Sequence, residues 1–345
     1  MYKINYMRRV FIVTISLSLL TSCLSDKKGE NITTDFIIAF GSCNNQRLEN
    51  ILWDDILAQN PDLWIWGGDV VYADTEDMNK LKTEYKIQLE NPGYKKLAEN
   101  VEVMGTWDDH DYGLNDGGEH FAVKYKSQQE FLDFLGVSSE SKRREQEGVY
   151  FAKVFETRQG SIKIMILDTR FFRSDLTLSV NRDKRYQPNS YGQGTVLGEK
   201  QWEWLEDELK SSSADFNVIV SSIQVLSDKH GFETWGNFPH EVDKFKELIV
   251  DSRAKGVIVL SGDRHISEFS QEKVKGIAYP LIDFTSSGLT HSYSGFSGEE
   301  NPYRKGFVIS DLSFGLLDFN FESKEVVMKM IGDNGQVQQE IKQSY

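Results

Sequence analysis

The sequence has few cysteines and few basic residues relative to acidic ones. Only two of its 345 residues are cysteines, Cys23 and Cys43, and 39 Lys and Arg residues stand against 53 Asp and Glu residues, which gives a net charge of −14. Because binding to a nucleic-acid backbone favours clustered Lys and Arg, this balance argues against a nucleic-acid duplex as the main partner. A small anionic substrate is compatible with it, since a bound metal ion outweighs the overall field locally.

An apolar run near the N-terminus is too short to span a bilayer easily. It covers residues 10–20, follows a basic stretch, and leads into Leu20-Thr21-Ser22-Cys23, which resembles a bacterial lipobox. We predict that residues 1–22 are a lipoprotein signal peptide, that Cys23 carries the lipid, and that the polar residues 23–33 tether the mature chain to a bacterial membrane, facing the periplasm or the cell surface. An ordinary secretory signal and an uncleaved anchor are the alternatives.

Lipidation of Cys23 leaves Cys43 without an intrachain partner for a disulfide bond. An unpaired thiol outside the cytoplasm is unusual. It is either buried and inert, or it serves as a ligand or a nucleophile.

The remaining chain has the pattern of a globular α/β protein. Its hydrophobic content is 39% and its aromatic content 12%, which excludes a disordered chain. Short apolar runs at 35–40, 63–66 and 101–106 predict strands, and an Asn-Pro-Gly break within 85–100 predicts two short helices there. Strands alternating with helices predict a buried central sheet, and extra strands suggest a second sheet packed on it. We expect one catalytic domain over residues 34–345.

Four of the predicted strands end in residues that bind metal ions well. Ligands bind beyond the carboxyl ends of strands in open α/β sheets, so we expect these endings to converge on one site. The endings are Gly41-Ser42-Cys43, Gly67-Gly68-Asp69-Val70-Val71-Tyr72, Trp107-Asp108-Asp109-His110 and Gly262-Asp263-Arg264-His265.

This set of side chains suits the hydrolysis of a phosphate ester. The reaction needs a strong nucleophile and neutralisation of the spreading negative charge, and two metal ions about 3.5–4 Å apart supply both. Asp69 follows two glycines, which let the backbone approach closely, and is the natural bridging carboxylate. His110 lies beside a ligand and is suited to protonate the leaving oxygen. The predicted metal ligands are Cys43, Asp69, Tyr72, Asp109, Asp263 and His265.

The chemistry of these ligands favours two different metals. A Cys43 thiolate and a Tyr72 phenolate suit a hard, highly charged ion such as Fe³⁺. Asp109, Asp263 and His265 complete the two shells and favour a second, oxygen-preferring ion.

Together the motifs resemble the PhoD-like branch of the metallophosphoesterases, the alkaline phosphatase D family. That family has a Cys at the end of its first strand, a Gly-Asp-x-x-Tyr segment, a Trp-Asp-Asp-His segment and a Gly-Asp-x-His segment, and the resemblance covers about residues 34–320. It implies a four-layer α/β/β/α sandwich, hydrolysis of phosphomonoesters or phosphodiesters, and a binuclear Fe³⁺ and Ca²⁺ centre. The family also tends to have Asp-Thr-Arg after a central strand, and we expect Asp168 and Arg170 of this segment to form a salt bridge behind the site.

The sequence also departs from the commoner metallophosphoesterase pattern. The first strand lacks the Asp-x-His with which that pattern begins. The Gly-Asn-His of the pattern is replaced by Trp-Asp-Asp-His, so that Asp109 takes the place of the Asn ligand. The His that usually lies between the third and last motifs has no counterpart. Here a strand runs into Ser222-Ile223-Gln224 instead. We predict Gln224 and Trp235 as substrate-binding residues, and we interpret His291 as a surface or core residue.

These observations lead to a functional hypothesis. The chain hydrolyses phosphate esters outside the cytoplasm by attack of a metal-bound hydroxide on phosphorus, with Asp109 and His110 as catalytic residues, and acts as a monomer. One alternative is a phosphodiesterase or phospholipase that uses the same site. The other is a lipid-anchored binding protein whose catalytic centre has decayed.

Overall fold

The computed structural model describes Met1 and residues 34–345, so the predicted signal peptide, the tether and Cys23 lie outside the described residues. In chain order the strands are β1 (Phe36–Gly41), β2 (Leu63–Gly67), β3 (Glu102–Thr106), β4 (Phe151–Glu156), β5 (Ser161–Ile166), β6 (Thr177–Leu178), β7 (Tyr186–Gln187), β8 (Phe216–Val220), β9 (Val257–Ser261), β10 (Ser267–Glu272), β11 (Leu281–Thr285), β12 (Arg304–Ile309), β13 (Phe314–Asn320), β14 (Glu325–Ile331) and β15 (Val337–Ser344). The α-helices are α1 (Trp53–Ala58), α2 (Met78–Glu90), α3 (Pro92–Asn100), α4 (Asp109–Tyr112), α5 (Lys124–Phe134), α6 (Gly198–Lys210) and α7 (Pro239–Ser252).

Two large mixed sheets contain most of these strands. The first has the order β15-β14-β13-β1-β2-β3, in which β1, β2 and β3 are parallel and β13 runs antiparallel to β1. The second has the order β12-β10-β11-β9-β8-β5-β4, in which β5, β8, β9 and β11 are parallel. β6 and β7 form a separate small hairpin.

The two sheets pack face to face, and helices cover both outer faces. The inner core contains side chains of both sheets, such as Ile38 of β1 and Val218 of β8. On the outside, Trp53 of α1 packs against the first sheet, whereas Trp202 of α6 and Phe245 of α7 pack against the second. This arrangement is the predicted four-layer α/β/β/α sandwich, and the prediction of the fold is confirmed.

The local sequence explains these layers. All five residues of β2 are buried, as expected for a central strand of a sheet covered on both faces. Its alternating residues separate, so that Leu63 and Ile65 enter the core between the sheets while Trp64 and Trp66 pack under the helices.

The predicted break between two helices is also confirmed. α2 ends at Glu90 and α3 begins at Pro92, where a proline is tolerated because the first helical N–H has no partner. The Asn91 side chain accepts hydrogen bonds from the backbone N–H groups of Gly93 and Tyr94 and so caps α3. Among residues 34–345, no helix has both the length and the apolar character needed to cross a membrane.

Candidate metal centre

The four motifs meet at one end of the two sheets. Cys43 lies two residues after β1, Asp69 two residues after β2, and Asp263 two residues after β9, while Asp109 begins α4 just after β3. β1, β2 and β3 belong to the first sheet and β9 to the second, so the site lies where the carboxyl ends of both sheets come together.

Short distances connect the predicted ligands. The Asp69 carboxylate is central: its Oδ2 lies 3.4 Å from Cys43 Sγ and 3.3 Å from the Tyr72 hydroxyl. The Tyr72 hydroxyl is in turn 3.4 Å from His265 Nε2. Carboxylate oxygens of Asp69, Asp109 and Asp263 lie within 4.8 Å of one another. The structure therefore brings all six predicted ligands together.

Four of these six residues adopt a left-handed backbone conformation that side chains normally avoid. The φ angles are 56° at Cys43, 50° at Asp69, 66° at Asp263 and 53° at His265. Such a conformation costs on the order of 1–3 kcal/mol per residue and persists where the surrounding structure enforces it, often at functional sites. The turns after the strands thus hold these side chains toward one point at a local conformational cost.

Burial makes the negative charge of the cluster unfavourable. Burial and the nearby Asp263 raise the pKa of the Cys43 thiol to about 11. Burial, with Cys43 and Asp109 close by, also raises the pKa of Asp69, and burial together with Asp109 raises the pKa of Asp263 to about 7. A thiolate and several carboxylates therefore need a strong positive charge between them to be ionised at neutral pH.

The donor set fits a pair of metal ions. Asp263 is half-buried beside three other carboxylates, those of Asp69, Asp108 and Asp109. A thiol, a phenol, an imidazole and three carboxylates offer oxygen, nitrogen and sulfur ligands to two adjacent ions. A cluster of acidic residues and histidine of this kind supports a binuclear metal site.

His110 has a carboxylate partner that the sequence analysis missed. Its Nδ1 lies 2.9 Å from both carboxylate oxygens of Asp74. Burial opposes protonation of the ring, but the hydrogen bond to Asp74 and the charges of Asp69 and Asp109 raise the pKa of His110 to about 10. With Nδ1 engaged by Asp74, a protonated ring has Nε2 left to donate.

His291, interpreted from sequence as a surface or core residue, lies at the site. Its ring centroid is 4.6 Å from that of His265 and 4.9 Å from that of Tyr72. Nδ1 of His291 is 3.0 Å from the Thr290 hydroxyl. No motif indicated this position, because His291 lies in an irregular segment after β11.

The expected salt bridge between Asp168 and Arg170 is not formed. The Arg170 guanidinium pairs instead with Asp108, at 2.5 Å from Nε, and with Glu233, at 2.5 Å from Nη1. Asp168 accepts hydrogen bonds from Trp107 Nε1 and from the backbone N–H groups of Val149 and Arg170. Asp168 therefore links the backbone at Val149 and Arg170 to Trp107, and Arg170 compensates the charges of Asp108 and Glu233.

The two predicted substrate-binding residues are placed in the core. Gln224 is fully buried, and its amide donates to Glu268 and to Thr285 at 2.9 and 2.8 Å. Trp235 is also fully buried and packs edge to face against Trp202. Neither side chain lines the cleft above the metal centre, so the structure does not bring them to the candidate site.

A cleft of about 520 Å³ opens next to the cluster. The predicted site residues Asp109, His110, Asp263 and His265 line it. Its other lining residues are Asn115, Asp116, Arg185, Tyr186, Phe232, Glu233, Arg264, Ser292 and Tyr293. Pockets of 300–1,000 Å³ hold drug-sized ligands, so this cleft has room for a phosphate group together with an organic group.

Comparisons with known proteins agree with this geometry. Residues 38–301 match the family model described as PhoD-like phosphatase. Alkaline phosphatase D of Bacillus subtilis (strain 168) is 27% identical over 143 residues, which are 36% of this chain and 24% of that relative. The match thus spans about a quarter of the length of the curated relative.

Solved structures of similar fold cover nearly the whole chain. A structure of PhoD aligns with a TM-score of 0.70 at 18% identity, over 90% of this chain and 69% of the other. A dimetal phosphatase from Danio rerio aligns with a TM-score of 0.57 at 13% identity, over 91% of this chain and 100% of the other. At these identities the two structures support the fold. The family match covers most of the sequence, and the chain belongs to the PhoD-like phosphatase family, a family of phosphoric ester hydrolases.

Proposed function

We propose that this chain is an active phosphoric ester hydrolase with a binuclear metal centre. The observation that carries the proposal is the surplus of acidic ligands at the converging strand ends, where Asp69, Asp109 and Asp263 lie within 4.8 Å of one another. An intact ligand set of this kind argues against a decayed binding protein. The family match over residues 38–301 supports the same reaction class.

The ligands divide by chemistry. Cys43, Tyr72 and His265 would hold a hard ion such as Fe³⁺, Asp109 and Asp263 would hold a second, oxygen-preferring ion such as Ca²⁺, and Asp69 would bridge the two. When bound, the metals lower the pKa of a coordinated water and neutralise charge on the phosphoryl oxygens during in-line attack.

His110 is the residue that provides a proton for the leaving group. Asp74 fixes Nδ1 of the ring at 2.9 Å and keeps it protonated, so Nε2 retains a proton to donate to the ester oxygen as the bond to phosphorus breaks. His110 lines the cleft, where the leaving oxygen has to lie.

The ligand assignment is tested with Cys43→Ser and Asp69→Asn in the purified protein. Both should lose bound metal, measured by elemental analysis, and lose hydrolysis of nitrophenyl phosphate. Asp54→Asn is the matched control, because Asp54 is an exposed carboxylate on α1 far from the motifs and should leave both properties unchanged. Full activity in Asp69→Asn would contradict the proposed site.

The identity of the metals has its own test. Thiolate or phenolate bound to Fe³⁺ absorbs visible light, so the active enzyme should be coloured and should lose its colour in Cys43→Ser or in Tyr72→Phe. A colourless preparation with full activity would rule out the iron assignment and leave the binuclear proposal standing.

The size of the cleft favours a phosphodiesterase as the second candidate function. A volume of about 520 Å³ leaves room for an organic group on each side of the phosphorus. Comparing turnover of nitrophenyl phosphate with that of bis-nitrophenyl phosphate separates the two activities, because the second substrate has no free monoester.

We propose further that the enzyme works as a monomer outside the cytoplasm, anchored through lipid on Cys23. The lipobox-like Leu20-Thr21-Ser22-Cys23 supports this location. The native chain should fractionate with membranes, and its N-terminal peptide should begin at a lipid-modified Cys23 by mass spectrometry. Recovery of the wild-type chain in the membrane fraction with an intact N-terminus and no lipid on Cys23 would favour an uncleaved anchor instead.

A further inference from the structure

Arg264 and two half-exposed aromatic residues, Phe232 and Tyr293, line the cleft and have no role in the proposed metal chemistry. Phe232 and Tyr293 expose 41% and 46% of their surface, whereas Arg264 is 7% exposed. Predicted metal ligands line the same cleft. Exposed aromatic side chains inside a ligand-sized cleft are suited to contact a ligand, because their apolar surface is otherwise left in water.

The Phe232 ring rests on charged and aromatic neighbours. The Arg264 guanidinium lies 4.6 Å from its centroid, and the His230 ring lies alongside at 6.0 Å with an interplanar angle of 25°. One arm of Arg264 is held by Glu299 at 2.6 Å. These contacts hold the guanidinium, and with it the face of the phenyl ring against it, in one orientation.

Arg264 lines the cleft and has one guanidinium N–H without a partner in the described part of the chain. Its Nε is buried and has no hydrogen-bond partner among the described residues. A buried unpaired donor is unfavourable unless a bound molecule accepts its hydrogen bond. Oxygen atoms of a phosphorylated sugar are acceptors of the kind that a guanidinium binds well.

Tyr293 is joined by a backbone hydrogen bond to His265, one of the predicted metal ligands. Its backbone N–H donates to the carbonyl oxygen of His265 at 2.7 Å. This hydrogen bond holds the backbone of Tyr293 next to that of the predicted metal ligand His265. Tyr293 and the predicted ligand His265 therefore lie side by side, and both line the cleft.

Polar residues also line the cleft, which limits the substrate class. They are Asn115, Asp116, Arg185 and Ser292, and the buried Tyr186 lines the cleft as well. A fatty acyl chain would need a continuous apolar channel, whereas a nucleoside combines a flat aromatic base with a hydroxyl-bearing sugar. Bases stack well on aromatic side chains, and sugar hydroxyls match polar neighbours.

We propose that Phe232, Arg264 and Tyr293 form a nucleoside-binding subsite, and that the enzyme prefers phosphate esters of nucleosides. This inference rests on the proposed hydrolase function. Phe232 and Tyr293 stack on the base, Arg264 donates to an acceptor oxygen of the nucleotide, and the phosphate lies toward His110 and Asp263.

Two matched pairs of substrates test the proposal. AMP and ribose 5-phosphate share the 5′ monoester and differ in the base, while thymidine 5′-(nitrophenyl phosphate) and methyl nitrophenyl phosphate share the leaving group and differ in the nucleoside. In the pair that the enzyme hydrolyses, kcat/KM should be about tenfold or more higher for the nucleoside ester, mainly through KM, because stacking stabilises binding and leaves the chemical step unchanged.

Variants then connect this preference to the subsite. Phe232→Leu should raise KM for the nucleoside ester about tenfold and leave the base-free ester within about twofold, while Phe232→Trp should retain the preference. Phe307→Leu is the control, because Phe307 is an exposed phenylalanine on β12 outside the cleft. Melting curves should coincide with that of the wild type, since Phe232 is half exposed.

Three results would overturn the inference while leaving the hydrolase function intact, provided that nitrophenyl phosphate or bis-nitrophenyl phosphate is still hydrolysed. They are equal kcat/KM within each pair, no turnover of either nucleoside ester, and equal effects of Phe232→Leu on both members of a pair. Loss of all phosphoesterase activity in the metal-loaded wild type would instead contradict the proposed function itself.

Discussion

Two neighbouring clusters of charged residues differ in how their charge is balanced. We call them the carboxylate cluster, which consists of Asp69, Asp109 and Asp263, and the arginine cluster, which consists of Asp108, Arg170, Arg173 and Glu233. They are in contact, because carboxylate oxygens of Asp108 and of the carboxylate cluster lie within 4.8 Å of one another. The carboxylate cluster contains no cation of its own, whereas the arginine cluster has two guanidinium groups for two carboxylates.

The charged side chains of the arginine cluster form ion pairs with one another. Arg170 pairs with Asp108 and with Glu233 at 2.5 Å, and Arg173 pairs with Glu233 at 2.7 Å. All four side chains are almost fully buried. Burial raises the pKa of Asp108, and the nearby Arg170 opposes this shift. Buried charges persist when paired, and here each carboxylate has a guanidinium partner within the protein.

The carboxylate cluster receives part of its compensation from its neighbour. Burial would raise the pKa of Asp109, but the charges of Arg170 and His110 and two backbone hydrogen bonds lower it below its ordinary value. The pKa values of Asp69 and Asp263 stay raised because burial and the adjacent acidic groups dominate there. The comparison teaches that one cluster is a structural ion network and the other is a site for added cations.

Removing metal from the carboxylate cluster should have the largest effect of the changes predicted here, on both the rate of hydrolysis and the free energy of unfolding. We expect stripping with a chelator to reduce hydrolysis at least about a thousandfold, because nucleophile and charge neutralisation are lost together. Metal added back at roughly a thousand times its Kd should raise the free energy of unfolding by about 4 kcal/mol. Activity assays and denaturant unfolding before and after dialysis check both numbers, and an unchanged rate in metal-free protein would refute the site.

The arginine cluster should respond to mutation and not to chelation. Arg170→Met leaves Asp108 and Glu233 buried without their shared cation, so we expect the free energy of unfolding to fall by about 3–5 kcal/mol. Lys210→Met is the control, because Lys210 pairs with Glu206 on the exposed face of α6 and should change stability by at most about 0.5 kcal/mol. Equal effects of the two variants in urea unfolding would show that the cluster is not an ion network.

Asp283 is a buried carboxylate outside both clusters, and its partners are hydrogen-bond donors without a positive charge. Its Oδ2 accepts from the backbone N–H groups of Val225 and Leu226 at 2.7 and 3.0 Å, and its Oδ1 accepts from the Ser261 hydroxyl at 2.6 Å. Burial nonetheless raises the pKa of Asp283 to about 6. Without a cation, hydrogen bonds thus compensate only part of the cost of burial.

This raised pKa predicts the pH dependence of stability. Between about pH 4 and pH 6 the folded protein holds a proton on Asp283 that the unfolded chain has lost, so the free energy of unfolding falls as pH rises through this window. The loss should reach about 3 kcal/mol and be absent in Asp283→Asn, which keeps the shape of the side chain. Urea unfolding across this pH range measures the difference, and superimposable profiles for both proteins would contradict the assignment.

The sequence patterns predicted an α/β fold with two packed sheets and the position of the site, and the family resemblance implied the four-layer sandwich. Strand and helix periodicity and the Asn91-Pro92 break are local features, and residues at the ends of parallel strands must share an edge of the sheet. That rule accounts for Cys43 and Asp69, which follow neighbouring strands of the first sheet, whereas Asp263 follows β9 of the second sheet and joins them through the packing of the two sheets.

Contacts between distant loops were beyond the reach of the sequence. Arg170 pairs with Asp108 and Glu233, which lie 62 and 63 residues away, and no local pattern marks such partners. Gln224 and Trp235 lie in the loop that follows β8, which the sequence analysis placed near the site. Packing decides which side chains of this loop face the core, and the sequence does not show it. His291 was missed for the same reason.

The His110–Asp74 pair provides the smallest predicted effect, because Asp74 is half exposed and water screens its charge. Asp74→Asn removes the carboxylate that orients Nδ1 and raises the pKa of His110. We expect kcat for an alkyl ester such as ribose 5-phosphate to fall about tenfold, since an alkoxide needs a proton as it leaves. Hydrolysis of nitrophenyl phosphate should fall by no more than about twofold, because nitrophenolate leaves without protonation.

The position of the pH–rate profile distinguishes this role from a structural one. Loss of the Asp74 charge should lower the pKa of His110, so the alkaline limb of the alkyl-ester profile should move to lower pH in Asp74→Asn. Glu76→Gln is the matched control, because it removes an exposed charge from the same loop, two residues from Asp74. If Asp74→Asn slowed both esters equally and left the alkaline limb in place, Asp74 would only support the loop, and the charge of His110 would depend on the carboxylate cluster alone.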